Sequence, residues 1–175
     1  PTVLDGEHQS MSATDPLLEP YTLKGLHLRN RIMSTSHAPA YVDENSHPGE
    51  RYQRYHEEKA RGGIALTMFG GSSTVDLDSP SAFGQINISD DSIIPKLREF
   101  SGRIHALGTA IMCQISHMGH RTTWNVDHWL PTVAPSLVRE HAHRSFPKIM
   151  EQHDIDRIVH AYGQAARRCR DGGLD

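Results

Sequence analysis

Cysteine is almost missing from this chain: two residues among 175, Cys113 and Cys169. Neither sits in a Cys-x-x-Cys pair. That spacing rules out a disulfide framework and a four-thiolate metal site, and it makes the reducing cytoplasm the expected compartment. No apolar run approaches the ~20 residues a membrane helix needs, and the N-terminus lacks the apolar core of a signal peptide. An excess of positive charge is also lacking. Lys and Arg number 18 against 21 Asp and Glu, a net charge of -3. This leaves no electrostatic footprint for nucleic acid or an anionic membrane, so neither is expected as a partner. No Gly-x-Gly-x-x-Gly follows the first strand candidate, which weighs against a dinucleotide-binding Rossmann unit, and no Walker-type phosphate loop occurs.

What remains is an ordinary composition, 37% hydrophobic and 22% charged, long enough for one domain with a proper core. Histidine is the exception, with 13 residues. The pairs His117/His120 and His141/His143 invite a metal reading. No His-Glu-x-x-His pattern supports it, however, and both pairs fall in Gly- and Pro-bearing loops, so no metal site is expected.

Residues 1–14, rich in Ser and Thr with few apolar anchors, read as a flexible leader. Tyr21-Thr22-Leu23 and Leu26-His27-Leu28, joined by Lys24-Gly25, predict a β-hairpin. A strand follows over 30–35, ending in the small and polar tip Ser34 to Pro39. A loop over 38–48 leads to a helix expected to start near Ser46, with Pro48 in its first turn and Gly62-Gly63 as its stop. Tyr52, Tyr55, His56 and Lys59 recur along it at helical spacing. Residues 64–69 form a nearly continuous apolar run, as a strand buried on both faces should, and end in Gly70-Gly71-Ser72-Ser73.

After a loop over 76–91, a second helix is expected with Asp91 or Ser92 as its cap. Its stripe is Ile93, Leu97, Phe100, Ile104 and Leu107, and Gly108 ends it. A third strand spans 110–115. The segment from Ser116 to Gln152, with its two Trp, several His and three Pro, is too long for a plain connection and reads as functional. A third helix is expected from Asp154, with Ile155, Ile158, Val159, Tyr162, Ala166 and Cys169 on one face. Leu174-Asp175 reads as the approach to a fourth strand.

Strands alternating with helices give an α/β class with parallel strands. Periodicity does not separate an open doubly wound sheet from a (β/α)8 barrel. Four segments do. Leu26 to Ile32, Glu58 to Leu66 with Gly70-Gly71, Gln114-Ile115-Ser116-His117-Met118-Gly119, and Arg170 to Asp175, together with Val133-Ala134-Pro135-Ser136, resemble in order and spacing the old yellow enzyme, or NADH:flavin oxidoreductase, family. The resemblance covers residues 15–175. It is strongest to the multidomain branch that holds 2,4-dienoyl-CoA reductase, trimethylamine dehydrogenase and N-methylproline-type demethylases.

That resemblance implies a TIM (β/α)8 barrel, of which this chain is the N-terminal half: three strand–helix units and the start of a fourth strand. FMN would sit at the C-terminal strand ends, with hydride transfer through its N5. A [4Fe-4S] cluster and a dinucleotide site for NAD(P)H or FAD would lie beyond residue 175. Ser36, His37 and Ala38 match the strand-one tip that lies against the flavin ring. Gly71 matches the small residue beside the pyrimidine edge, and Gln114 matches the amide that hydrogen-bonds that edge. The alternative for Gln114 is a buried, satisfied core residue. His117 either faces the substrate or anchors its loop.

Two departures from the family pattern stand out. Ala38 replaces the Thr or Cys of many relatives, which excludes a covalent flavin link there. The family's His-x-Gly-Arg becomes His117-Met118-Gly119-His120-Arg121, and whether His120 or Arg121 takes the place of the Arg stays open. The expected activity is oxidative demethylation of a small N-methylated amine, with NAD(P)H-dependent reduction of an enoyl C=C bond as the alternative. A non-catalytic α/β binding module is the reading from another class. Half a barrel leaves an open sheet edge, so the expectation is that the rest of the barrel, in the same or another chain, completes it, that the segment alone is inactive, and that the enzyme is a homo-oligomer.

Overall fold

In the computed structural model, residues 15–80, 84–122, 130–142 and 145–175 are described. The expected leader, both Trp residues and His143 lie outside them. Among the described residues no helix is long and apolar enough to cross a membrane.

The chain opens on the antiparallel hairpin β1 (Tyr21–Leu23) and β2 (Leu26–Leu28). Its two-residue turn places Lys24 and Gly25 at positive φ, 46° and 92°, the turn geometry that matches strand twist. Three parallel strands follow: β3 (Met33–Ser34), β4 (Leu66–Thr74) and β5 (Ala110–Ser116), hydrogen-bonded in that order. Leu28 packs with Ala65, Leu66 and Ala110, so the hairpin covers the N-terminal ends of the strands.

β3 is shorter than the 30–35 expected. Asn30 is turned inward: its amide donates to the Gly63 carbonyl at 2.7 Å, and its Oδ1 accepts from Ile32 N–H. That side-chain turn takes the place of ladder pairing at the strand's start. β4 is longer than expected, running through Gly70-Gly71 to Thr74. Phe69 pairs with Cys113 and Ser73 with Ile115, so four steps on β4 match two on β5. The extra residues form a bulge in which Gly70, Gly71 and Ser72 all have positive φ.

The helices α1 (Glu50–Arg61), α2 (Ile94–His105) and α3 (Gln152–Asp171) alternate with the strands. α1 begins four residues later than Ser46, because the loop before it is held by Asp43, whose Oδ1 accepts from Asn45 and His47 N–H. Asp90, rather than Asp91 or Ser92, caps the turn leading into α2, accepting from Ser92 N–H at 2.8 Å. α3 starts two residues before Asp154, which instead closes a capping box with Glu151.

Ile93, Leu97, Phe100 and Ile104 of the α2 stripe are fully buried with Tyr52, Phe69 and Ile111. Ile86 and Ile88 join this core from the loop expected over 76–91. Ile86 accepts from Thr74 N–H and Ile88 donates its N–H to the Thr74 carbonyl on the tail of β4, which gives that loop its packed course. Arg103 bonds Glu50 and Glu57 and ties α2 to α1. Gly172 lies so close to α2 that a Cβ there would come 2.4 Å from Leu97 Cβ.

The expected apolar face of α3 is not buried. Ile155, Val159, Tyr162 and Ala166 are exposed, and the residues it buries are Asp154, Ala165 and Arg168. Asp175 donates its backbone N–H to Ile111 on the outer edge of β5 at 3.0 Å. That bond sets Asp175 alongside β5, where a fourth strand would start.

Candidate functional site

The C-terminal ends of β3, β4 and β5 converge on one rim, and the tip of the first strand lies over the bulge of the second. A Cβ on Gly71 would stand 2.3 Å from the carbonyl carbon of His37 and 2.5 Å from Ala38 N. Gly71 also has φ +52°, a conformation that side chains resist. Glycine is thus required for the tip to reach this position. Ser36 and His37 are half-buried here and Ala38 is exposed.

Gln114 faces out at the same rim. Its Oε1 accepts from Ser72 N–H at 2.9 Å, and the residue is exposed. That bond fixes the amide against the bulge. Its Nε2 is left to donate and the second lone pair of Oε1 to accept.

His37 is held from behind by an aromatic cluster. Its ring meets Tyr55 edge-on at 5.2 Å and stacks on His56 at 6.1 Å between centroids. His56 is fully buried, and its Nδ1 bonds Thr67 Oγ1 at 2.8 Å. Burial drives its pKa down to about 3, helped by the nearby Lys59, so it is neutral. Among the described residues the Nε2 atoms of both His37 and His56 are buried without a partner. Lys59 reaches from α1 to Ser34 Oγ at 2.9 Å, and burial lowers its pKa as well. Helical spacing placed His56 and Lys59 on the helix. Their alignment under the strand tip needed the register of α1 against β3 and β4.

His117 sits at the end of β5 with its side chain 6% exposed. Its Nε2 lies 2.7 Å from Asp78 Oδ1, its Nδ1 accepts from Gly119 N–H, and its own N–H donates to Tyr162 Oη at 2.8 Å. Asp78 is buried and also bonds Arg157 at 2.5 Å. Burial alone would raise the Asp78 pKa, but the bonds to His117 and Arg157 outweigh it and hold the carboxyl below its usual range. In this geometry His117 is an anchor that ties the β5 tip to the loop after β4 and to α3.

Comparison with known proteins bears on what this rim belongs to. The profile of the NADH:flavin oxidoreductase / NADH oxidase family matches residues 16–175. This chain belongs to that family. It is 57% identical over 164 residues to the multifunctional alkene reductase/demethylase OYE of Caballeronia cordobensis, covering 94% of this chain and 24% of that protein. It is 51% identical over 161 residues to the probable N-methylproline demethylase of Rhizobium meliloti, covering 92% and 24%. The chain thus spans about a quarter of the length of these relatives.

Among solved structures, morphinone reductase in complex with tetrahydroNAD superposes with a TM-score of 0.82 at 23% identity, over 92% of this chain and 48% of that one. The family match and this superposition identify the three-stranded sheet and its helices as part of a TIM barrel. They also account for the open β5 edge and the exposed face of α3, surfaces that a further strand–helix unit covers in a closed barrel.

Proposed function

We propose that this chain is the N-terminal half of an FMN-dependent oxidoreductase that oxidatively demethylates a small N-methylated amine. Residues 15–175 supply three strand–helix units, and the remaining units complete the barrel. The observation that carries the reading is the exposed Gln114 amide, fixed by Ser72 N–H beside the Gly71 and His37 contact. An amide offering one donor and one acceptor matches the N3–H and C2=O edge of a flavin. The backbone from Ser36 to Ala38 provides the flat wall beside it. Ala38 offers no nucleophile, so the cofactor is held without a covalent bond at this point.

FMN bound here supplies the hydride-accepting N5 of its ring. The chain's own part is to orient the ring through Gln114 and the strand-one tip. His37, backed by Tyr55 and the neutral His56, gives that tip a fixed shape. The names of the two relatives, a demethylase and a combined alkene reductase/demethylase, favour demethylation and keep alkene reduction as the second reading.

Anaerobic mixing of the complete protein with N-methylproline tests the first reading, which requires the flavin absorbance to bleach. The second requires the NADPH-reduced protein to be reoxidised by an enone. If neither mixture changes the flavin spectrum, both readings fail.

A further inference from the structure

Gly70, Gly71 and Ser72 stand outside the register that pairs β4 with β5. A backbone N–H that leaves a ladder in a buried position needs another acceptor. Two of these three donate to side chains. Ser72 N–H goes to Gln114 Oε1 at 2.9 Å, and Gly70 N–H goes to Tyr52 Oη at 3.0 Å. Gly70 and Tyr52 are both buried. The Tyr52 oxygen is a fixed point in the fold. Its ring stacks on His56 of α1 at 5.3 Å, and it meets Phe100 of α2 and Phe69 of β4 edge-on at 6.1 and 6.4 Å between centroids. Burial pushes the Tyr52 pKa up, so the phenol stays neutral. Gly70 has equally little freedom. It lies at φ +109°, and a Cβ there would stand 2.5 Å from Ser73 Oγ and 2.7 Å from the Gln114 carbonyl oxygen.

The bulge is thus gripped from α1 at Gly70 and from β5 at Ser72, with Gly71 and its close approach to His37 between them. We infer that Tyr52 is a positioning residue for the flavin edge: by anchoring Gly70 it turns Ser72 N–H toward Gln114 and so holds that amide where the cofactor meets it. This rests on the flavin reading of the rim above and makes no use of the substrate. Tyr52 reaches the rim only through the bulge. Replacing it with Phe keeps the ring among its aromatic neighbours and removes only the acceptor. Gly70 N–H is then buried without a partner, and the bulge relaxes away from the shape that fixes Gln114.

The test uses the complete protein, freed of flavin and titrated with FMN by fluorescence, as the parent, Tyr52→Phe, Gln114→Leu and the double variant. Ile104→Val, a substitution in the same buried core on α2, controls for a loss of packing alone. Tyr52→Phe is expected to weaken FMN by about fivefold or more. Ile104→Val is expected to lower the thermal midpoint and leave FMN affinity unchanged. In the Gln114→Leu background, Tyr52→Phe is expected to weaken FMN by less than about twofold further, because the amide it positions is gone. In the flavin-free protein, hydrogen exchange of the peptide that holds Gly70 to Ser72, followed by mass spectrometry, is expected to quicken in Tyr52→Phe.

FMN binding that Tyr52→Phe leaves unchanged overturns the inference. So does a double variant in which the two losses multiply in full, since Tyr52 would then act without Gln114. Bulge exchange at the parent's rate in Tyr52→Phe overturns it as well. A parent protein that takes up no FMN removes the flavin reading of the rim and this role with it, whereas FMN binding by the parent that is indifferent to Tyr52→Phe removes the role alone.

Discussion

The carbonyl group of His37 occupies the space that a side chain at position 71 would need. Two requirements meet there: a backbone turned to positive φ and the close passage of the strand-one tip. Gly71→Ala is therefore expected to cost about 1–2 kcal/mol for the backbone conformation, and roughly 1–3 kcal/mol more for the overlap. The tip would be pushed away from the rim. A lowered thermal midpoint together with weakened FMN affinity checks this; a variant with unchanged FMN affinity would show that the tip does not shape the flavin site.

Gln114 separates cofactor binding from stability, because it is exposed and makes one bond to the bulge. Gln114→Leu is expected to change the thermal midpoint of the flavin-free protein little and to weaken FMN binding by tenfold or more. Fluorescence titration of the apoprotein with FMN measures the latter.

His56 makes stability depend on pH. Its folded pKa of about 3 lies below the ordinary value of 6.5, so the folded state favours the neutral ring. As pH falls below 6.5, the unfolded chain takes up a proton that the folded chain refuses. This group's contribution is therefore complete above pH 6.5 and is lost on acidification toward 3. The slope is on the order of 1.4 kcal/mol per pH unit. Urea unfolding between pH 4 and pH 7 is expected to show a shallower pH dependence in His56→Gln than in the parent protein.

Asp78 holds His117 and Arg157 together from a buried position. Asp78→Asn removes a charge that both partners face, with an expected loss of about 1.5–3 kcal/mol. Its pKa is lowered in the fold, so its contribution is full above the ordinary carboxylate range and is lost as pH falls through it. The variant should unfold at lower urea concentration at neutral pH, and the difference from the parent should shrink in acid.

Much of the architecture follows from local pattern. The hairpin turn at Lys24-Gly25, the doubly buried run of β4, the α2 stripe ending at Gly108 and the Asp175 strand start all follow rules of spacing and conformation that act within a few residues. The α3 stripe is equally legible as a pattern, but no pattern tells what packs on it: Ile155, Val159 and Tyr162 are exposed among the described residues.

The sequence by itself determined the α/β class, the three strand ends and, through ordered motifs, the family. Those signals are one-dimensional: periodicity, glycine placement and the spacing of short motifs. Only the tertiary structure decided how the residues meet. It turned Gly71 toward His37, bent β4 through a bulge so that Ser72 N–H fixes Gln114, buried His56 beneath the strand tip, and used both nitrogens of His117 within the protein. The Gly71–His37, Ser72–Gln114 and His117–Asp78 contacts each join residues from different strand–helix units. Their geometry comes from the register of one unit against the next, which no local pattern encodes.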